Sequence, residues 1–169
     1  MKQVSQSQYN EVRENPSILG SFLREIDLEG YQEYVREVRP GFHSDEKILM
    51  ESMINPFSLS LSQILRPSKP RKSDIIVYPS ASKSMMTVEN FLSALIDHEC
   101  FHAKENYQNA HLRKQRFSPL GGALAEIRAY ENQIKNFRAR GVTPEYRKMI
   151  KGIYSKYQEA LPKLRQSEK

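Results

Sequence analysis

Apolar residues recur at helical spacing along most of this chain and alternate with polar ones only in its middle third. The first sixteen residues are polar and are expected to be a loosely held segment, with one domain running from residue 17 to 169. Ile18, Leu19, Phe22, Leu23 and Ile26, then Tyr31, Tyr34 and Val35, predict two short helical pieces, broken at Gly30 and ended by Arg39-Pro40-Gly41. The middle reads as β structure. Phe57, Leu59 and Leu61 alternate with serines, and Ile75-Ile76-Val77-Tyr78 is a compact run rich in β-branched residues. The stretch RPSKPRK between them has two prolines and four cations, which makes it a solvated turn, so the pair predicts a small antiparallel sheet. Residues 47–53 fit a strand or a helical turn.

The second half predicts helices alone. Thr87 is placed to cap a helix from Val88 to about Asn109, with Glu89 in its first turn, where the helix dipole favours an acid. A second helix runs from Ala123, after Gly121-Gly122, to Arg140, and Gly141 stops it. Thr143 caps a third, with Pro144 at its first position; Tyr146, Met149, Ile150, Ile153, Tyr154, Tyr157 and Leu161 form its apolar stripe.

Composition narrows the class without fixing it. At 169 residues the chain has room for one core. No stretch approaches the roughly 20 apolar residues of a membrane span, and nothing at the N-terminus resembles a secretory signal. The single cysteine, Cys100, excludes an intrachain disulfide, and a cytoplasmic location is expected. The net charge of +6 is uneven: residues 133–169 hold ten Lys/Arg against three Glu. A basic tail is compatible with nucleic-acid binding, but these charges are spaced as the solvated face of helices, and that is the expectation.

The chemistry concentrates at His98-Glu99-Cys100-Phe101-His102. Two histidines four apart on a helix lie about 40° apart in angle, one turn above the other, so both imidazoles reach one ion. Glu99 is left beside that ion, where a carboxylate takes a proton from a bound water. Leu95, Ile96 and Ala103 frame the motif, which puts it on a partly buried helix rather than a solvated one. Two surface histidines beside a glutamate are the alternative. Cys100 points away from the metal as a packed thiol, and Asp97 reads as a helix-surface charge.

LIDHECFHA resembles the active-site helix of the zincin metallopeptidases, and the strand-then-helix order before it is similar to theirs. The resemblance implies a zincin-like α+β fold in which the strand at Ile75–Tyr78 edges the cleft and an extended peptide lies against it. Lys104 departs from the hydrophobic residue usual there. The glycine that metzincins carry three residues after the second histidine is absent from Ala103-Lys104-Glu105.

Catalytic zinc needs a third protein ligand. His111 is one candidate, though no glycine turn swings it back. Glu126 is the better one. It shares a helix face with Tyr130, Gln133 and Phe137, and a carboxylate on a buried face requires a partner or a metal. A buried ion or hydrogen-bond partner for Glu126 is the alternative. Glu131 falls on another face, with Lys135 four residues on, and predicts an exposed pair. A glutamate from a second helix resembles the gluzincins, and Glu126-x-x-Ala129-Tyr130 is similar to the glutamate helix of their compact members, the minigluzincins. Tyr130 stands where many gluzincins place an aspartate. It is a candidate hydrogen-bond donor to a ligand carboxylate or an oxyanion, or a core tyrosine. Tyr107 and His111 are further candidates to line the cleft, and His43 reads as exposed.

The resemblance therefore implies Zn²⁺ on His98, His102 and Glu126, Glu99 as general base, Tyr130 beside them, and a peptide or protein substrate. A catalytically silent metal-binding module and a basic helical nucleic-acid-binding protein are the competing expectations.

Overall fold

The computed structural model describes residues 4–41, 50–53 and 71–167, an α+β arrangement in which helices outweigh a small sheet. The polar N-terminal segment is not loose: Gln6–Glu14 forms helix α1, closed by a capping box between Ser5 and Gln8. Its Tyr9 and Val12 are buried, and the Tyr9 ring meets Phe22 and Phe91 at 5.8 and 5.2 Å. The Tyr9 hydroxyl donates to the Met85 carbonyl at 3.0 Å, which removes the penalty of burying it. Two apolar positions in a polar stretch are enough to dock a short helix when a cap supplies its ends.

Helix α2 spans Leu19–Glu25, as the spacing predicts. The second helical piece does not form. Glu29 and Gly30 both take left-handed backbone, φ 51° and 92°, and after one 3₁₀ turn the chain enters strand β1, Val35–Pro40. Over so few residues the apolar positions fit either period, and pairing with a distant strand decides the outcome.

That partner is β3, Ser73–Val77, while β2 spans Met50–Met53. The order is β1-β3-β2, with β1 parallel to β3 and β2 antiparallel to it. The sheet is thus mixed, not the antiparallel one expected, and the alternating stretch at residues 57–61 lies outside the described residues. β3 is the central strand, so it is not an edge; all five of its residues are buried, which explains a nearly continuous β-branched run. Asp74, inside it, is held by Arg36 of β1, whose Nε donates at 2.7 Å.

After α3, Pro79–Ser84, come Val88–Leu92, Ser93–Glu99 and Cys100–Gln108, which run on as one helix, α4. Thr87 accepts from Asn90 N as its cap. Helix α5 spans Ala110–Gln115, α6 Pro119–Arg140 and α7 Pro144–Ser167. α6 begins four residues before the expected start, with Ser118 as cap, so the two glycines lie inside its first turn. Gly121 is there for space: a Cβ would lie 1.8 Å from the Gln115 carbonyl oxygen. Gly141, φ 72°, ends α6 as predicted. α7 packs along α6 through Tyr146 and Ile150, whereas Met149 of the expected stripe is 48 % exposed. No helix among the described residues is long and apolar enough to cross a membrane.

Candidate metal centre

His98 and His102 lie on α4, which is not uniformly α-helical. From Ser93 to Glu99 it widens to π-helical turns, and the Cys100 N–H bonds to Leu95 O, five residues back. Such a segment shifts its carbonyls out of register with the neighbouring turns. One of them, Asp97 O, accepts from the Asn132 side chain of α6 at 2.8 Å. The back of the helix is fixed by packing: Leu95, Ile96, Cys100 and Ala103 are all within the core. Cys100 is the buried thiol expected, and burial raises its pKa well above the usual range.

Asp97 is not the surface charge that its polarity suggests. It is 4 % exposed and takes two hydrogen bonds from Arg140 at the end of α6, at 3.0 and 3.2 Å. Arg140 also grips both oxygens of Glu29, at 2.6 and 2.8 Å. Burial alone would lower the Arg140 pKa, but the two carboxylates outweigh it and the guanidinium stays charged. This cluster ties the turn after α2 to the residue that precedes His98. A second tie, Arg128 of α6 to Glu105 of α4 (Nη2–Oε2 3.2 Å), holds the two helices face to face. Gln133 completes the clamp, donating to Ser93 Oγ and to Tyr146 Oη.

Across that interface α6 presents Glu126 to both histidines. Its carboxylate straddles them, Oε2 at 3.2 Å from His98 Nε2 and Oε1 at 3.1 Å from His102 Nε2. The rings stand 4.8 Å apart and perpendicular. His102 is 1 % exposed, and Glu126 opens to 26 % on its side chain. The three ligand atoms lie within 4.8 Å of one another.

Hydrogen bonding does not fully satisfy the site. His102 Nε2 is buried and stands 3.1 Å from Glu126 Oε1, yet the angle there is too poor for a full hydrogen bond. Buried polar atoms are rarely left so. Two imidazoles and a carboxylate converging on one point fit a divalent transition metal, and this donor set does not single out zinc.

The electrostatics fit too. Burial lowers the His102 pKa to about 4, against the pull of Glu126, so its ring is neutral near pH 7. Burial also opposes charge on His98, but Glu126 and Glu99 outweigh it and raise that pKa. Glu126 would be raised by burial, yet the imidazoles hold it below the usual carboxylate range. The cluster therefore keeps a proton on His98 that a metal must displace. Zinc binding at pH 6 is expected to release about one proton, with affinity falling roughly tenfold per unit as pH drops below the His98 pKa, and more steeply only below about 4, where His102 charges as well. Calorimetry in buffers of different ionisation enthalpy measures this; no proton release at pH 6 would show His98 to be already neutral.

Glu99 is buried next to His98, whose protonated form its charge favours. The Tyr130 ring packs on His98 with centroids 4.4 Å apart, and Tyr157 of α7 packs on Tyr130 at 5.9 Å. Burial raises the Tyr130 pKa, and the nearby Glu126 adds to it, so the phenol keeps its proton. Tyr157 had no functional mark in the sequence beyond its place in an apolar stripe. His111 does not join the group: it is exposed and bonds to Gln115. Tyr107 stacks on Tyr34 at 5.4 Å, and Lys104 lies over the same Tyr34 ring. Glu131 bonds to the Tyr154 hydroxyl at 2.9 Å rather than standing as an exposed pair with Lys135. His43 lies outside the described residues.

No protein-family model, curated protein or solved structure matches this chain.

Proposed function

We propose that the chain is a zinc-dependent peptidase with a zincin-like fold of the gluzincin type. The observation that carries this reading is the convergence of His98, His102 and Glu126 from two clamped helices, with Glu99 buried one residue from the first ligand. Bound zinc would supply Lewis-acid polarisation of the scissile carbonyl and lower the pKa of the attacking water. Glu99 accepts the proton that the water gives up and passes it to the leaving amine nitrogen as the C–N bond breaks. Tyr130 holds the His98 ring in place and offers a neutral phenol donor beside it.

The peptide-docking edge moves from where the sequence put it. β3 has a strand on either side, so the edge proposed for an extended substrate is the outer side of β2, which packs against the segment carrying His98. Among the described residues no strand pairs with that side. The cytoplasm is the proposed compartment, in keeping with the single buried free thiol.

The test is a peptide library offered to the zinc-loaded chain, with cleavage read by mass spectrometry. Glu99→Gln is expected to keep its zinc and to lose about 10²–10⁴-fold in rate. Full metal content with no cleavage of any peptide would replace this reading with a catalytically silent metal-binding module.

A further inference from the structure

His98 and His102 begin a row that continues, one more turn along α4, to Asn106. Asn106 is buried, and its Oδ1 accepts from Arg116 Nη1 at 3.1 Å. Arg116 is thereby anchored about one helical turn, ~5.4 Å along the axis, beyond the second ligand.

The turn that carries Arg116 is fixed. Arg116 N–H bonds to Leu112 O, and Ser118 N–H bonds to Gln115 O at 3.0 Å. The same Gln115 carbonyl is seated against Gly121, where no side chain fits, and Gly122 lies under Arg116 O. The glycine pair at the start of α6 thus holds the turn against the helix that supplies Glu126. Arg36, Arg39, Arg128 and Arg140 end on carboxylates, whereas Arg13 and Arg147 hold neutral partners, the Met86 thioether and the carbonyls of Val142 and Phe137. Arg116 forms no ion pair among the described residues, and the partner it holds is a neutral amide. The next residue, Phe117, is 91 % exposed, an uncovered aromatic surface beside the cation.

We infer that Arg116 binds a carboxylate of the substrate, so that the site selects peptides carrying a negative charge one or two residues beyond the scissile bond. An extended chain advances about 3.3 Å per residue, which matches one to two residues over the distance between the ligands and Arg116. A guanidinium with a fixed orientation is suited to a planar carboxylate. The carboxylate is either the peptide's C-terminus or an acidic side chain. This inference rests on the peptidase reading and deepens it.

The test uses the zinc-loaded Glu99→Gln chain, which binds without cleaving, and calorimetry with three probes: acetyl-Ala-Ala-Phe, its C-terminal amide, and acetyl-Ala-Ala-Glu amide. At least one of the two charged probes, the free acid or the glutamate amide, is expected to bind at least about tenfold more tightly than the neutral amide. Arg116→Met should remove that difference while leaving neutral-amide binding and zinc content unchanged, and Arg116→Lys should restore part of it. If only the free acid binds more tightly than the neutral amide, the charge is read from the terminus; if only the glutamate amide does, from a side chain; if both do, Arg116 accepts either carboxylate. Equal binding of all three probes to the zinc-loaded chain overturns the inference without touching the metal site. Equal weakening of all three by Arg116→Met also overturns it, making Arg116 a latch on Asn106. Absence of zinc overturns both readings.

Discussion

Glu126→Ala is expected to leave the protein without stoichiometric metal, while Glu131→Ala keeps it. Glu126 is the one member of the candidate metal group on the second helix, and its carboxylate stands within 3.2 Å of both imidazole nitrogens. Two histidines on one helix still bind transition metals, but with one protein ligand fewer and no negative charge to offset the ion. Because changes to mere supporting groups lower affinity by about 10–100-fold, loss of a ligand should exceed about 100-fold. Glu131 is five residues on and engaged with Tyr154, so its removal controls for general damage to α6. Elemental analysis after dialysis reads the outcome. Retention of one zinc per chain by Glu126→Ala would reject the two-helix site, and retention by neither variant would show that α6 is held by more than local contacts.

The second large effect concerns stability. Arg140→Met should destabilise the fold by about 3–5 kcal/mol, because it strips Asp97 of its counter-charge in the interior. Asp97 is the more enclosed of the two carboxylates that Arg140 binds, with 5 % of its side chain exposed against 34 % for Glu29. Glu29→Gln, on the exposed side, should therefore cost only about 1 kcal/mol. Urea denaturation of the metal-free proteins measures both. A loss below about 1 kcal/mol in Arg140→Met would mean that Asp97 is relieved by protonation or by rearrangement of the π-helical turn. Since Asp97 adjoins His98, the same variant should also weaken zinc binding, whereas Glu29→Gln should not.

The way these residues are held explains which parts of the protein could be read early. The pairing of His98 and His102, with Glu99 between them, is legible because residues four apart share a helix face, and the geometry of a helix follows from sequence spacing alone. Glu126 is legible for a related reason: a carboxylate in phase with Gln133 and Phe137 sits on a face that has to be covered. The Thr87, Thr143 and Gly141 boundaries are equally local, since each acts on backbone groups within four residues.

What the sequence could not reveal is non-local. Asp97 and Arg140 are 43 residues apart, and Arg140 and Glu29 111 apart. No spacing rule joins them, so each reads as an ordinary surface charge. Arg116 is likewise one cation among many until Asn106 fixes it on the row of ligands. The strand at residues 35–40 has too few residues for its period to be told from a helix, and the central place of β3 depends on partners from both directions. By itself the sequence determined which residues form the candidate metal group and where most helices start and stop. Tertiary structure alone decided which charges are buried, which strand is the edge and which arginine is fixed on Asn106. Those depend on the distance between segments remote in the chain, which only packing sets.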